Sequence, residues 1–235
     1  LTINTARRTI STTETTPSTS SFAIGIDAFV GIPSLLHLDL SGNSLRSIPP
    51  SELCNLRSLE HLDLSRNQLG SIDDLGLYKE NCLPNLRHLD LSENEITSVS
   101  SEVFKQLLPK LANLDVSSNF VRHLHHKNHV RKQSSCGLKK INLSNNQISG
   151  IPSEFFHKCG AHLASLELAN NSLSSLEESL LSELSSLKSL DLSGNRLSSS
   201  QITKRLFQDL TGLTELFLDH NDITHFEDSK ELFAS

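Results

Sequence analysis

Leu86–Ile96 reads LRHLDLSENEI, and the spacing of its leucines decides the fold. Leu89 and Leu91 are separated by one residue, so on a short strand both face inward and Asp90 between them faces out. Asn94 follows where the chain turns off the strand, and its carboxamide can satisfy backbone groups that the turn leaves unpaired. The same pattern recurs with its asparagine at Asn43, Asn67, Asn94, Asn119, Asn146, Asn171, Asn195 and Asn221, at intervals of 24 to 27 residues. A second apolar column lies ten to twelve residues after the asparagine, at Leu53, Leu77, Phe104, Phe156, Leu181, Phe207 and Phe233. The repeat that carries Asn119 has His129 in that place. A unit of this length cannot bury its apolar face alone, and stacked copies bury one continuous core.

Eight copies in register identify the leucine-rich repeat. The expected fold class is an α/β solenoid of about eight full repeats, a horseshoe whose parallel strands line the concave side. Its convex side is expected to be mostly irregular, 3₁₀ or short-helical. Residues 1–20 are more than half Ser and Thr and read as a disordered or O-glycosylated leader. Residues 21–235 read as the solenoid, uncapped at both ends. Ile24 and Phe29 match the second half of a repeat, and Phe233 falls on the convex column. A chain that starts at Leu1 without a signal peptide is expected to be a piece of something longer.

The bulk composition agrees with a repeated structural solution. The chain has 235 residues, net charge −6 and 36% hydrophobic residues, with no Trp, no Met and one Tyr, so leucine carries the core. No run approaches the roughly 18 consecutive apolar residues that span a bilayer. The mildly acidic balance argues against nucleic acid as the main partner.

Four cysteines, Cys54, Cys82, Cys136 and Cys159, allow three pairings. Cys54 and Cys82 lie in consecutive repeats at similar places, and so do Cys136 and Cys159. A disulfide needs Cα atoms about 4.4–6.8 Å apart, which neighbouring coils supply. The other pairings span two or more coils, so Cys54–Cys82 and Cys136–Cys159 are expected. Two N-x-S/T sequons, at Asn142 and Asn170, fall on or beside the strand at outward positions. Pairable cysteines and sequons together favour an extracellular setting.

No phosphate loop, dinucleotide fingerprint, CxxC or HExxH occurs, so the chain reads as a non-enzyme that needs no cofactor and acts by surface. The concave positions follow from the pattern. Between the strand leucines stand Asp39, Asp63, Asp90 and Asp115 in the first four repeats, and two residues earlier stand His37, His61, His88 and Asn113. Stacked carboxylates repel and raise one another's pKa, and their field is expected to hold the histidines charged. As a binding surface this strip suits a basic protein partner and responds to pH. The competing reading is structural, since Asp is a common choice at this place in the repeat.

One stretch runs against the overall charge. Val116 to Ser153 contains no Asp or Glu but includes Arg122, Lys127, Arg131, Lys132, Lys139 and Lys140. Within it Arg122, His125, His126, His129, Arg131 and Lys132 form a candidate basic loop on the convex or lateral side, ended by Cys136. The histidines lack a fourth metal ligand, and no aromatics interleave for base stacking, which leaves an anionic glycan, a protein contact or a solvated loop. The solvated loop is the expectation.

The stretch SELCNLRSLEHLDLSRNQLGSIDDLGLYKENCLPNLRHLDLS resembles the ectodomains of Toll receptors, above all the long insect-type members, where one Cys ends a repeat and another precedes the next strand. LDLSGNRLSSSQITKRLFQDLTGLTEL is similar to their lengthened repeats. The resemblance covers about residues 22–235. It implies a cell-surface ectodomain that binds a protein ligand, often a cystine-knot cytokine, and forms a homodimer on binding. Membrane attachment would come only from flanking segments, and a truncated product would be secreted. The His-rich stretch and the Cys136–Cys159 pair have no counterpart in that resemblance. The alternative is an extracellular adhesive or matrix protein, or a secreted decoy, on the same repeat.

Overall fold

The structure, a computed structural model, describes residues 2–4, 24–25, 27–75, 82–103, 110–126 and 136–226. In each described repeat a three-residue strand forms at the LxL motif, starting one residue before its first apolar position. These are β2 (His37–Asp39), β3 (His61–Asp63), β4 (His88–Asp90), β6 (Asn113–Asp115), β8 (Lys140–Asn142), β9 (Ser165–Glu167), β10 (Ser189–Asp191) and β11 (Glu215–Phe217). They pair in parallel, each with the next repeat in the same register, so that Leu38, Leu62, Leu89, Leu114, Ile141, Leu166, Leu190 and Leu216 form one row. That row lies under the sheet and is buried as far as Leu190. The expected leucine-rich-repeat solenoid is therefore the fold.

Three strands go beyond the pattern. β1 (Thr2–Asn4) pairs in parallel with β2 and makes the sheet nine-stranded. The rest of the expected disordered leader lies outside the described residues. On the flank, β5 (Ser98–Ser100) and β7 (His123–His125) pair in parallel as a second, two-stranded sheet.

The asparagine column holds the turns as expected. Asn94 donates through Nδ2 to the carbonyls of Leu64, Leu91 and Ser92 at 2.9–3.1 Å, and its Oδ1 accepts from Leu69 N–H at 3.0 Å. One side chain thus closes its own turn and ties it to the previous repeat, leaving no buried amide atom unused. Asn171 repeats the arrangement with Leu143, Leu168, Ala169 and Ile148.

The residue before each asparagine carries a constraint that the sequence pattern hides. Gly42, Arg66, Glu93, Ser118, Asn145, Asn170, Gly194 and His220 all have φ between 54° and 67°. Glycine adopts that conformation without penalty, and the six other residues are held in it by the asparagine bonds on both sides.

The convex side carries the short helices α1 (Pro50–Cys54), α2 (Glu178–Ser182) and α3 (Lys204–Phe207), with 3₁₀ turns at Ile72–Leu75 and Ser199–Gln201. Helices this short form only because the core holds them. Leu53, Phe156, Leu181 and Phe207 of the convex column are buried, and Phe155 meets Phe156 edge to face at 4.9 Å. Leu77, Phe104, His129 and Phe233 lie outside the described residues. Ile24 and Phe29 are buried in the same core. Both expected disulfides join adjacent coils, with Cα separations of 4.4 Å for Cys54–Cys82 and 4.9 Å for Cys136–Cys159. Among the described residues no helix is long and apolar enough to cross a membrane.

Candidate binding groove

The concave curve of the sheet closes the eight expected surface residues, His37, Asp39, His61, Asp63, His88, Asp90, Asn113 and Asp115, around one groove of about 480 Å³. Register alone brings them together, since strand pairing places His37 beside His61 beside His88, and Asp39 beside Asp63 beside Asp90 beside Asp115. Lys140 of β8 joins the lining at one end. It sits in the same column of the pattern as the histidines, and that shared column was the signal for it.

The histidines stack. Ring centroids of His37 and His61 are 4.2 Å apart with planes 20° from parallel, and His61 and His88 repeat the distance at 6°. Asn113 ends the row by placing its amide nitrogen 2.8 Å from His88 Nδ1. An amide nitrogen only donates, so in this arrangement His88 Nδ1 accepts, which favours the neutral ring. Burial, then repulsion from His88 and His37, lowers the pKa of His61, and burial with the nearby Arg87 lowers that of His88. At His61 and His88 this corrects the expectation that the aspartates hold the histidines charged. Rings packed at strand spacing lose water and oppose one another's protonation, and here those effects outweigh the attraction of Glu60.

The aspartates play a double part. Asp39, Asp90 and Asp115 each accept through Oδ1 from the backbone N–H and the hydroxyl of the serine two residues on, at 2.6–2.9 Å. Asp63 accepts from Ser65 N–H in the same way. The structural reading of this column is therefore realised, and it occupies one of the two carboxylate oxygens. The expected rise in carboxylate pKa holds at Asp90, where burial leads and Asp115 and Asp63 add to it. At Asp39 the Ser41 bonds dominate and lower it.

Past Asp115 the character changes. Asn142 Nδ2 donates to Asp115 Oδ2 at 3.1 Å, its Oδ1 accepts from Ser144 N–H at 3.0 Å, and Lys140 Nζ pairs with Glu167 at 2.6 Å. The other sequon, Asn170, lies on the exposed turn after β9 and donates to Asn145 Oδ1 at 3.0 Å.

The candidate basic loop is divided. Arg122 donates to Gln147 Oε1 at 2.7 Å, and His125 ends strand β7 with an exposed side chain, so neither lies on a free loop. His126 Nδ1 is 3.1 Å from Ser101 Oγ. His129, Arg131 and Lys132 lie outside the described residues. Among the described residues no three His, Cys, Asp or Glu side chains converge to hold a metal ion.

The family model for the leucine rich repeat matches residues 19–69, 79–128 and 136–197, and a second leucine-rich-repeat model matches 186–210. Human Podocan-like protein 1 is 34% identical over 191 residues, which is 80% of this chain and 34% of that protein. The chain spans between 11% and 34% of the length of the curated relatives it matches. Among solved structures, the TLR13–ssRNA13 complex superposes with a TM-score of 0.72 at 30% identity over 88% of this chain and 28% of that one. The Drosophila Toll–Spatzle complex gives 0.69 at 27% identity over 84% of this chain and 25% of that one.

Proposed function

The chain belongs to the leucine-rich repeat family, and we propose that it is the ligand-binding part of an extracellular receptor of the Toll type. In this reading the groove over β2–β6 receives a protein ligand that presents basic residues, of cystine-knot cytokine type, and ligand binding brings two copies together. The observation that carries the reading is the row of four aspartates held at strand spacing in a 480 Å³ concavity. Fixed carboxylates of one sign focus field into a concave site and raise the encounter rate with a cationic partner. Two disulfides between adjacent coils, and the likeness to the Toll–Spatzle and TLR13 complexes, support the extracellular receptor setting. The test is a binding titration of the secreted chain against cystine-knot cytokines with basic surfaces, read by interferometry at rising salt, with light scattering for the stoichiometry. Saturable binding that weakens with salt and yields a two-to-one mass supports the proposal, and salt-independent binding elsewhere on the solenoid overturns it.

The similarity to Podocan-like protein 1 across 80% of the chain supports a second reading, an adhesive or matrix protein or a secreted decoy on the same repeat. Retention on assembled extracellular matrix by a variant lacking the aspartate charges would favour it.

A further inference from the structure

We propose that Asn170 carries an N-linked glycan on the rim of the sheet and that Asn142, the other sequon, is bare in the folded, secreted protein. The inference uses the extracellular reading only for passage through the secretory route. The chemistry is the transfer of an oligosaccharide from a lipid diphosphate donor. A bond forms between Asn Nδ2 and the anomeric carbon, the sugar–phosphate bond breaks, and the lipid diphosphate leaves with the displaced amide proton accounted to it. The acceptor needs an asparagine amide and a hydroxyl two residues on, which both sequons supply as Ser144 and Ser172.

The two sites differ in what surrounds them. Asn170 is exposed and stands in the left-handed turn at φ 54°. Its neighbour in the next repeat is Gly194, which presents no side chain, and a Cβ added there would collide with Asn170 Oδ1. The asparagine side chain therefore lies against Gly194, in space that any larger residue there would take. Its one side-chain bond among the described residues, to the equally exposed Asn145, is replaceable by water at little cost. A sugar on its nitrogen projects from the rim into solvent.

Asn142 is half-buried on the concave face, one strand spacing from Asp115 on one side and Glu167 on the other. Both its amide atoms are engaged, with Asp115 Oδ2 and Ser144 N–H, and Ser144 itself is buried. A sugar there has to stand over the Lys140–Glu167 pair with side chains crowding it along the sheet, about 4.8 Å away on each flank. Chains that acquire one fold poorly and do not leave the cell. The rim site keeps the glycan clear of the groove over β2–β6, so the two assignments together leave the concave face open to a protein.

The experiment is a peptide map, without reduction, of the full chain secreted from animal cells behind a signal peptide, after enzymatic deglycosylation in heavy-oxygen water. Asn170 should appear as heavy-oxygen aspartate and Asn142 as unmodified asparagine. Asn170→Gly, which places at this turn the residue found at Gly42 and Gly194, should remove one glycan's mobility shift. Asn142→Asp, which installs the residue of the preceding repeats, should remove none. Sugar on Asn142, or a bare Asn170 in protein whose two disulfides are intact, overturns the proposal and leaves the extracellular reading standing. Free cysteines in the same digest would instead strike at that reading.

Discussion

Strands β2, β3, β4 and β6 and strands β8–β11 share one backbone and carry different faces. Both halves have the same asparagine bonds, the same left-handed turn residue and the same parallel register. Outward, the first half presents stacked histidines and four aspartates. The second presents Lys140 paired with Glu167, then Ser165, Ser189 and Asp191, and ends with Phe217 46% exposed. The period dictates the residues that satisfy buried backbone, because every repeat meets the same unpaired groups. It leaves the histidine column free and asks of the aspartate column only an acceptor for the turn N–H, so the difference between halves is where recognition can reside.

The largest expected effects test the shared part. Asn94→Ala and Asn171→Ala each leave a buried N–H and several turn carbonyls without their partner, which costs about 3–5 kcal/mol by urea unfolding. The two losses should agree to within about 1 kcal/mol. A much larger loss in one half would mean that the halves do not share one framework.

Next come the disulfides. Opening Cys54–Cys82 or Cys136–Cys159 with a Cys→Ser pair should cost about 3 kcal/mol each, since the closed loops span 28 and 23 residues. Loop length separates them by only about 0.2 kcal/mol. Unequal unfolding midpoints would show that one half depends on its staple more than the other.

The face itself is tested by charge without shape. Asn142 already shows that an asparagine at the aspartate position accepts the turn N–H. Asp39→Asn with Asp63→Asn, Asp90→Asn and Asp115→Asn should therefore change stability by no more than about 1 kcal/mol. Association with a basic partner should slow by roughly 10- to 100-fold at low salt. Asp191→Asn in the other half should leave that rate unchanged, and an equal loss there would erase the distinction between the halves.

What the sequence disclosed follows the same division. The strands, the asparagine column, the disulfide pairs and the residues lining the groove were all legible, because each is a consequence of period and register. The lowered pKa of His61 and His88 was not. It depends on ring stacking at 4.2 Å and on Asn113 facing His88, neither of which the pattern encodes. The left-handed turn was hinted at only by Gly42 and Gly194, and the flanking pair β5–β7 by nothing in the repeat. Asn142 and Asn170 looked equivalent as triplets, and only their burial and neighbours separate them.

The smallest expected effect is also the most local, a pH dependence carried by the stack. His61 and His88 have pKa values lowered from the ordinary 6.5, so just below that pH the unfolded chain binds more protons than the folded one. Stability then rises with pH in this window and falls as the solution is acidified through it. Glu60 opposes the shift at both rings, while Arg87 adds to it at His88 and His37 at both. Asp90 acts with the opposite sign, because its raised pKa lets the folded state bind a proton before the unfolded state does, in a window above 3.8. Urea midpoints measured from about pH 7.5 down to about pH 5.5 should therefore fall for the native chain. The slope should flatten in the double variant His61→Gln with His88→Gln, in which Asp90 and every exposed histidine are unchanged. If the slopes of the two proteins coincide, the stacked rings are not the acid-sensitive element, and the chemical difference between the two halves rests on the aspartates alone.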